Sequence, residues 1–444
     1  MSTLEISSPP LSRPQPVGVL PLPAGYLLVE APDGDQAVVD LVAGRLPGVW
    51  PDHLEHVRAA LAGDTSEALV LVGDGDRPID VVNRLVLLGT PEALETALDL
   101  GGEVGAHARL VGYALGLLDE APAGDGLDGE LLAMSLAGRA AAATEAGDDR
   151  TAAALLDEAV AAAAPVSSAL TGQLLGALAD ARTAAGDAPG AVLGLRDRAI
   201  ALLEGTDLAI GLAEQHLAKG MAIHEVAGDN RGALVGAVRS YQSAARLVDI
   251  ESAPELFATI HVNLATAYLT MPMVEASDQL RVGVAIQSLR QALRVFTPDT
   301  HPARWSSTQL NLANALVYMP SGKRADNIIE AVELYEAVLE ARDADEDPLA
   351  YARVAANQGN ALAHLGIFDH ATARLHEARF IFEGHDDLEA VTTVRSVLDE
   401  IAKQVAARGG AGKHQHAVPP VDPSAAPGAP DAASSRYPTR EDSP

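Results

Sequence analysis

The sequence predicts a mainly α chain: repeated helix pairs, preceded by a small α/β segment and followed by a tail that builds no core. Three observations carry this. Nearly the same helix is written three times, as NLATAYLTMP from Asn263, NLANALVYMP from Asn311 and NQGNALAHLG from Asn357, spaced 48 and then 46 residues apart. From Pro91 to about residue 407, apolar residues recur three and four apart, the period of one helix face, between Gly-Asp or proline turns. Hydrophobic residues make up 48% of the chain but aromatics only 3%, so alanine and leucine must close the core, which suits helices packed closely through small residues.

The elements follow in order. Residues 1–16 are rich in Pro and Ser and are expected to be disordered. GYLLVEAPDGDQAVVDLV (Gly25 to Val42) sets two apolar runs around a Pro-Asp-Gly-Asp turn, the pattern of a hairpin. PDHLEHVRAALAG (51–63) predicts a short helix, EALVLVG (67–73) a buried strand and PIDVVNRLVLLG (78–89) a helix. Residues 17–90 are therefore expected to form a small α/β domain, with helices from 91 to a closing helix that ends near 407. From 408 to 444 the chain is rich in Pro, Ala, Gly and Ser and is expected to be disordered. That tail is neutral, so the formal net charge of −30 belongs to the part that folds.

In the last copy Gly359, Leu362, Gly366, Ala371, Leu375 and Ala378 are spaced 3, 4, 5, 4 and 3 apart. This resembles the tetratricopeptide repeat (TPR), a helix–turn–helix unit with small residues where its helices A and B touch. Similar patterns surround Ala152 and Leu156, Ala191 and Leu195, Ala237 and Tyr241, Ala285 and Leu289, and Ala331 and Tyr335. In the Ala191 copy Arg198 takes the last small position, with Ala199 beside it. The resemblance implies a right-handed α-solenoid of about six helix pairs over 130–385. The turns TMPMVEASDQLRVG and YMPSGKRADNI lengthen the fourth and fifth units beyond the usual period. Pro254, Pro302 and Pro348, each three residues before an aromatic, mark the starts of helix A, because proline costs little in a helix's first turn.

Asn263, Asn311 and Asn357 lie two residues before the small residue of helix A; Thr266, Asn314 and Asn360 lie one residue after it. The resemblance places this side of helix A on the concave groove, and asparagines at the earlier position recur in kinesin-light-chain-like repeats, where they pair with the backbone of an extended peptide. A carboxamide offers an acceptor and two donors, so it can satisfy a peptide N–H and C=O together. Tyr318, Arg353 and His364 stand at matching positions and complete the candidate peptide site. The alternative is that each asparagine bonds a neighbouring repeat and fixes the stacking. Five such side chains at about 0.5–1.5 kcal/mol each give roughly 3–7 kcal/mol, short of the roughly 8 kcal/mol of a micromolar complex.

Other chemistry is poorly supported. There is no cysteine, which excludes disulfides and thiolate sites. The acidic balance argues against nucleic acid and anionic membranes. No apolar run is long enough to span a bilayer, and residues 1–18 lack the pattern of a secretory signal, so a cytoplasmic protein is expected. VGDGDRP (72–78) lacks the glycine and lysine pattern of a nucleotide loop; Asp76 is expected to cap the helix that begins at Pro78. HLEH (53–56) offers two histidines and no further zinc ligand, and GHDDLE (384–389) is expected to cap the closing helix. No catalytic residue, metal or cofactor is assigned.

The expected function is that of a protein-interaction adaptor or assembly scaffold, not an enzyme, with a protein or peptide partner in the groove of the last three repeats. Three alternatives remain. One is an enzyme within 17–90, near Asp74 and Asp76, regulated by the repeats. Another is an accessory factor in the maturation of a bacterial metalloenzyme such as a hydrogenase. The third is a structural homo-oligomer.

Overall fold

The computed structural model describes residues 14–30, 32, 34–272, 279–319 and 322–410. The leader up to residue 13, the tail from 411 and parts of the two lengthened turns lie outside the described residues.

The chain divides into two units, Met1–Ala222 and Ile223–Pro444. The first opens with β1 (Gln15–Pro16), which pairs antiparallel with β2 (Leu28–Val29). Then come α1 (Gln36–Val42), α2 (Glu55–Leu61), α3 (Thr65–Val72), α4 (Pro78–Leu88), α5 (Pro91–Leu98) and α6 (Gly102–Ala114). Two helix pairs follow, α7 (Gly129–Glu145) with α8 (Asp149–Ala163), and α9 (Ser168–Ala184) with α10 (Pro189–Leu203). The division falls inside α11 (Ala209–Glu225). The second unit continues with α12 (Arg231–Ala245), then pairs α13 (Pro254–Thr270) with α14 (Gln279–Ala292), α15 (Pro302–Tyr318) with α16 (Arg324–Glu340), and α17 (Pro348–His364) with α18 (Phe368–Gly384); α19 (Leu388–Gly410) closes it. From α7 to α18 the helices follow the expected order of six helix–turn–helix units, a TPR-like α-solenoid.

Local chemistry sets the ends. Pro254, Pro302 and Pro348 open α13, α15 and α17 as expected. Asp148, Ser167, Asn230 and Asp347 accept first-turn amides at the starts of α8, α9, α12 and α17. Asp387 accepts from the Ala390 amide at 3.0 Å, the cap expected for the closing helix. Between α17 and α18, Gly366 adopts φ +74°, a backbone that side chains rarely take, and ends the helix. Where those helices touch, a Cβ built on Gly359 would sit 2.8 Å from Leu375 Cγ and 3.2 Å from the Ala371 carbonyl oxygen, so only glycine lets them approach.

The N-terminal part differs from expectation. The run 67–73 is not a buried strand. It is α3, with Ala68 buried but Val70 80% exposed and Leu71 45% exposed. Asp64 accepts from the Glu67 amide at 2.8 Å and caps the start of the helix, while its own amide donates to the Ala59 carbonyl. The expected hairpin also changes. Asp35 accepts from the Ala37 and Val38 amides and turns 36–42 into α1, leaving β2 to pair with β1 upstream. The leader expected over 1–16 thus overlaps strand residues 15 and 16. Asp76 does not cap α4. Its N-cap is Arg77, with no side-chain bond, and Asp76 is exposed. In α10 the buried residues are Val192, Leu195, Arg196, Ala199, Ile200 and Leu203, while Ala191 and Arg198 are exposed, so Leu195 packs as expected but Val192 and Ala199 take the places expected of Ala191 and Arg198.

No break in packing falls at 90/91. One buried cluster runs from Val17 through Leu41, Leu85 and Leu175 to Ala199. Long-range hydrogen bonds tie the N-terminal part to the later helices. Ser167 Oγ donates to the Val42 carbonyl at 2.8 Å, Gln173 Nε2 to the Val19 carbonyl at 3.1 Å and the Leu46 amide to Asp207 at 2.7 Å. In the second unit a separate cluster runs from Ala265 to Ile401, centred on fully buried Tyr335, Leu375 and Phe382.

Candidate functional site

The candidate residues lie on α13, α15 and α17, the first helices of the last three pairs, which also neighbour one another directly. Asn263, Asn311 and Asn357 stand at the same place in their 17-residue helices, nine residues after Pro254, Pro302 and Pro348. All three are half-buried.

Their bonding differs. Asn263 Nδ2 donates to the Thr259 carbonyl one turn back in its own helix, at 2.9 Å, and Thr266 Oγ1 does the same to the Val262 carbonyl, at 2.9 Å. Asn311 makes no hydrogen bond among the described residues. Asn357 Nδ2 reaches Asn314 Oδ1 at 3.4 Å, across the joint between α15 and α17. Asn314 Oδ1 also accepts from the Tyr335 hydroxyl at 2.6 Å. Burial pushes the Tyr318 hydroxyl pKa up, and the nearby Asn360 carboxamide opposes that. Arg353 is exposed and pairs with none of the described residues.

The structure therefore joins Asn314 and Asn357 by hydrogen bonds to Tyr335, with Tyr318 close enough to Tyr335 to act on it and Asn360 beside Tyr318. Tyr335 is 1% exposed, and its pKa is raised well above the ordinary value, first by burial and then by the nearby Tyr318. Sequence reasoning missed it, because a large residue is expected at its position in any case. The usable signal was its hydroxyl, where the last unit carries Leu375. His364 is half-buried, and its Nε2 has no hydrogen-bond partner among the described residues. Burial, and then the charge of Arg324, lowers its pKa and keeps the ring neutral.

A second network was also unforeseen. Glu336 accepts from both Gln358 Nε2 at 2.5 Å and Arg374 Nη2 at 3.0 Å, while Arg374 Nη1 bonds Glu377 at 3.1 Å and the Tyr351 hydroxyl donates to Glu377 at 3.1 Å. These side chains lock α16, α17 and α18 together. They act as stacking residues, although Gln358 Oε1 is buried with no hydrogen-bond partner among the described residues.

The remaining sequence candidates do not converge. Asp74 and Asp76 are exposed. His53 Nε2 pairs with Asp35 at 2.7 Å. His56 is largely buried, and desolvation lowers its pKa. Among the described residues no helix is long and apolar enough to cross a membrane.

No protein-family model matches the chain, and no curated protein matches it. Solved structures with some likeness include BtubC (BKLC) from P. vanneervenii, 20% identical over 65% of this chain and 98% of that one, with a TM-score of 0.37. Aspartyl phosphate phosphatase F from Bacillus subtilis is 12% identical over 84% of this chain and 100% of that one, with a TM-score of 0.40. The TPR2AB domain of yeast Sti1 in complex with pHSP90 is 14% identical over 61% of this chain and 98% of that one, with a TM-score of 0.24. Each of these TM-scores is under 0.5, so the solenoid assignment rests on the helix pairing and packing described above.

Proposed function

We propose that the chain is a protein-interaction scaffold that holds an extended peptide along the face of α13, α15 and α17. The observation that carries this is Asn311. Its half-buried carboxamide makes no hydrogen bond among the described residues, and it stands between Asn263 and Asn357 on the same face. A peptide lying across it would find an acceptor and two donors for its own backbone. Asn263 Oδ1 and the exposed Arg353 extend the same face. Asn314 has a different role: its oxygen is committed to Tyr335, and it sets the wall on which Asn357 rests.

The test is selection of peptides from a random display library on the full chain. Affinity of the best binders is then measured for the parent and for Asn311→Ala. Each lost carboxamide pair should cost about 1–2 kcal/mol, roughly five- to thirtyfold in Kd. Binders indifferent to both Asn311→Ala and Arg353→Ala would place the interaction surface elsewhere.

A further inference from the structure

The first unit contains a cavity of about 360 Å³, independent of the groove above. That is within the roughly 300–1,000 Å³ of small-molecule sites. Its walls are largely apolar, formed by Leu28, Ile79, Val104 and Leu131 from β2, α4, α6 and α7. The β2 wall is fixed by Asn83, whose carboxamide accepts from the Leu28 amide at 2.7 Å and donates to the Leu28 carbonyl at 3.0 Å.

The charges at the cavity decide what it can hold. α4 and α6 both begin beside it, but each carries its own first-turn carboxylate, Asp80 and Glu103, so the helix starts leave no unmet positive charge. Arg77 is engaged bidentately by Asp80, at 2.9 and 2.8 Å. Its contact with Glu30 is longer, at 3.3 Å, and the Glu30 side chain is 49% exposed. Glu30 can therefore turn to a new partner at little cost. His107 forms part of the wall and is 1% exposed. Its Nε2 sits 2.7 Å from the Tyr26 carbonyl, so that nitrogen carries the hydrogen and donates it. Nδ1 has no hydrogen-bond partner among the described residues. Burial lowers the imidazole pKa to about 4, which keeps the ring uncharged at neutral pH. The cavity thus joins an apolar interior to a net negative rim, on a chain of formal charge −30 that attracts cations.

We propose that this cavity binds a small amphiphilic cation, an apolar body of a few carbons carrying a protonated amine that pairs with Glu30. An anion would face Glu30, with Arg77 and Asp80 already paired to each other. A neutral alcohol of the same size would fill the walls but leave the rim charge unanswered.

The test is isothermal titration of the full chain with pentylamine, pentanol and pentanoate near pH 8, where an alkylamine is protonated. Pentylamine should bind saturably and raise the thermal midpoint. Pentanol should bind about tenfold more weakly, and pentanoate should show no binding. Glu30→Gln, a change at a half-exposed side chain, should weaken pentylamine about tenfold and leave pentanol unchanged. Val104→Trp, which fills the cavity, should abolish binding of both. The proposal is overturned by the absence of pentylamine binding to the folded chain, by equal binding of amine and alcohol, or by pentylamine binding that Glu30→Gln leaves unchanged.

Discussion

Gly359→Ala sets two physical effects of opposite sign against each other at one position. Alanine in a helix interior is favoured over glycine by about 0.5–1 kcal/mol, because glycine loses more backbone freedom on folding. Against this, the new Cβ would lie 2.8 Å from Leu375 Cγ, 3.1 Å from Leu375 Cδ2 and 3.2 Å from the Ala371 carbonyl oxygen. Cγ is the branch point of a side chain only 1% exposed, so relief requires α17 and α18 to separate rather than a methyl group to rotate. Overpacking of this kind costs about 1–3 kcal/mol. The clash should win, with a net loss of about 1–2 kcal/mol. Gly283 in α14 is the internal control. It lies in a helix of the same unit, and a Cβ there meets nothing within 4 Å. Gly283→Ala should therefore stabilise by about 0.5–1 kcal/mol. Urea denaturation followed by circular dichroism, with hydrogen exchange on peptides from α17 and α18 to localise the effect, measures both. Gly359→Ala proving as stable as Gly283→Ala would refute the argument that helix contact, rather than propensity, selected glycine there.

Three further outcomes are expected. Tyr335→Phe should cost about 1–2 kcal/mol by leaving the Asn314 carboxamide oxygen with only its 3.4 Å contact to Asn357; a double-mutant cycle with Asn314→Ala should be strongly non-additive, and additive losses would refute the network. Glu130, 1% exposed, has its pKa raised to about 7 by burial, so the folded state binds the proton more tightly than the unfolded one. Its contribution is therefore fully present below the ordinary carboxylate range near 4.5 and is lost as pH rises through about 7; Glu130→Gln should flatten that stretch of the stability–pH curve, and an unchanged slope would count against the burial. Val70→Glu on α3 should change stability by no more than about 0.5 kcal/mol, whereas a buried strand there would make the same change severely destabilising in urea denaturation.

The helix pairs were legible because their signal is local and redundant. Gly359, Ala371, Leu375 and Ala378 each report a packing constraint, and the same constraints recur along the chain, so an error at Arg198 in place of Ala199 leaves the unit recognisable. The N-terminal part offered single instances. EALVLVG reads equally as a strand or a short helix by its apolar run, and the N-cap that decides the matter, Asp64 accepting from the Glu67 amide, lies just before its start. The hairpin failed for a related reason: Asp35 tolerates a turn and also caps a helix, and only its bonds to Ala37 and Val38 select the second. At the candidate site the positions were readable but the bonding was not. Asn263 and Asn357 look alike in sequence, yet one returns its donor to its own helix and the other crosses to Asn314. That choice depends on which neighbour comes within reach, and the crossing to Asn314 is made between residues 43 apart in the chain.

The bonds that tie the first residues to the helix pairs bear on synthesis. Val19 is held by Gln173, Val42 by Ser167, and Leu46 by Asp207 across a separation of 161 residues. At about 5–20 residues per second, a chain growing from its N-terminus carries Leu46 for roughly 8–30 s before Asp207 is made. During much of that interval Val17, Val19, Leu20 and Leu27, all buried in the finished fold, lack the later members of their cluster, from Leu170 to Ala199. The first residues to emerge are thus among the last to be completed, and chaperone engagement on the ribosome should concentrate on residues 17–46 until Asp207 is made.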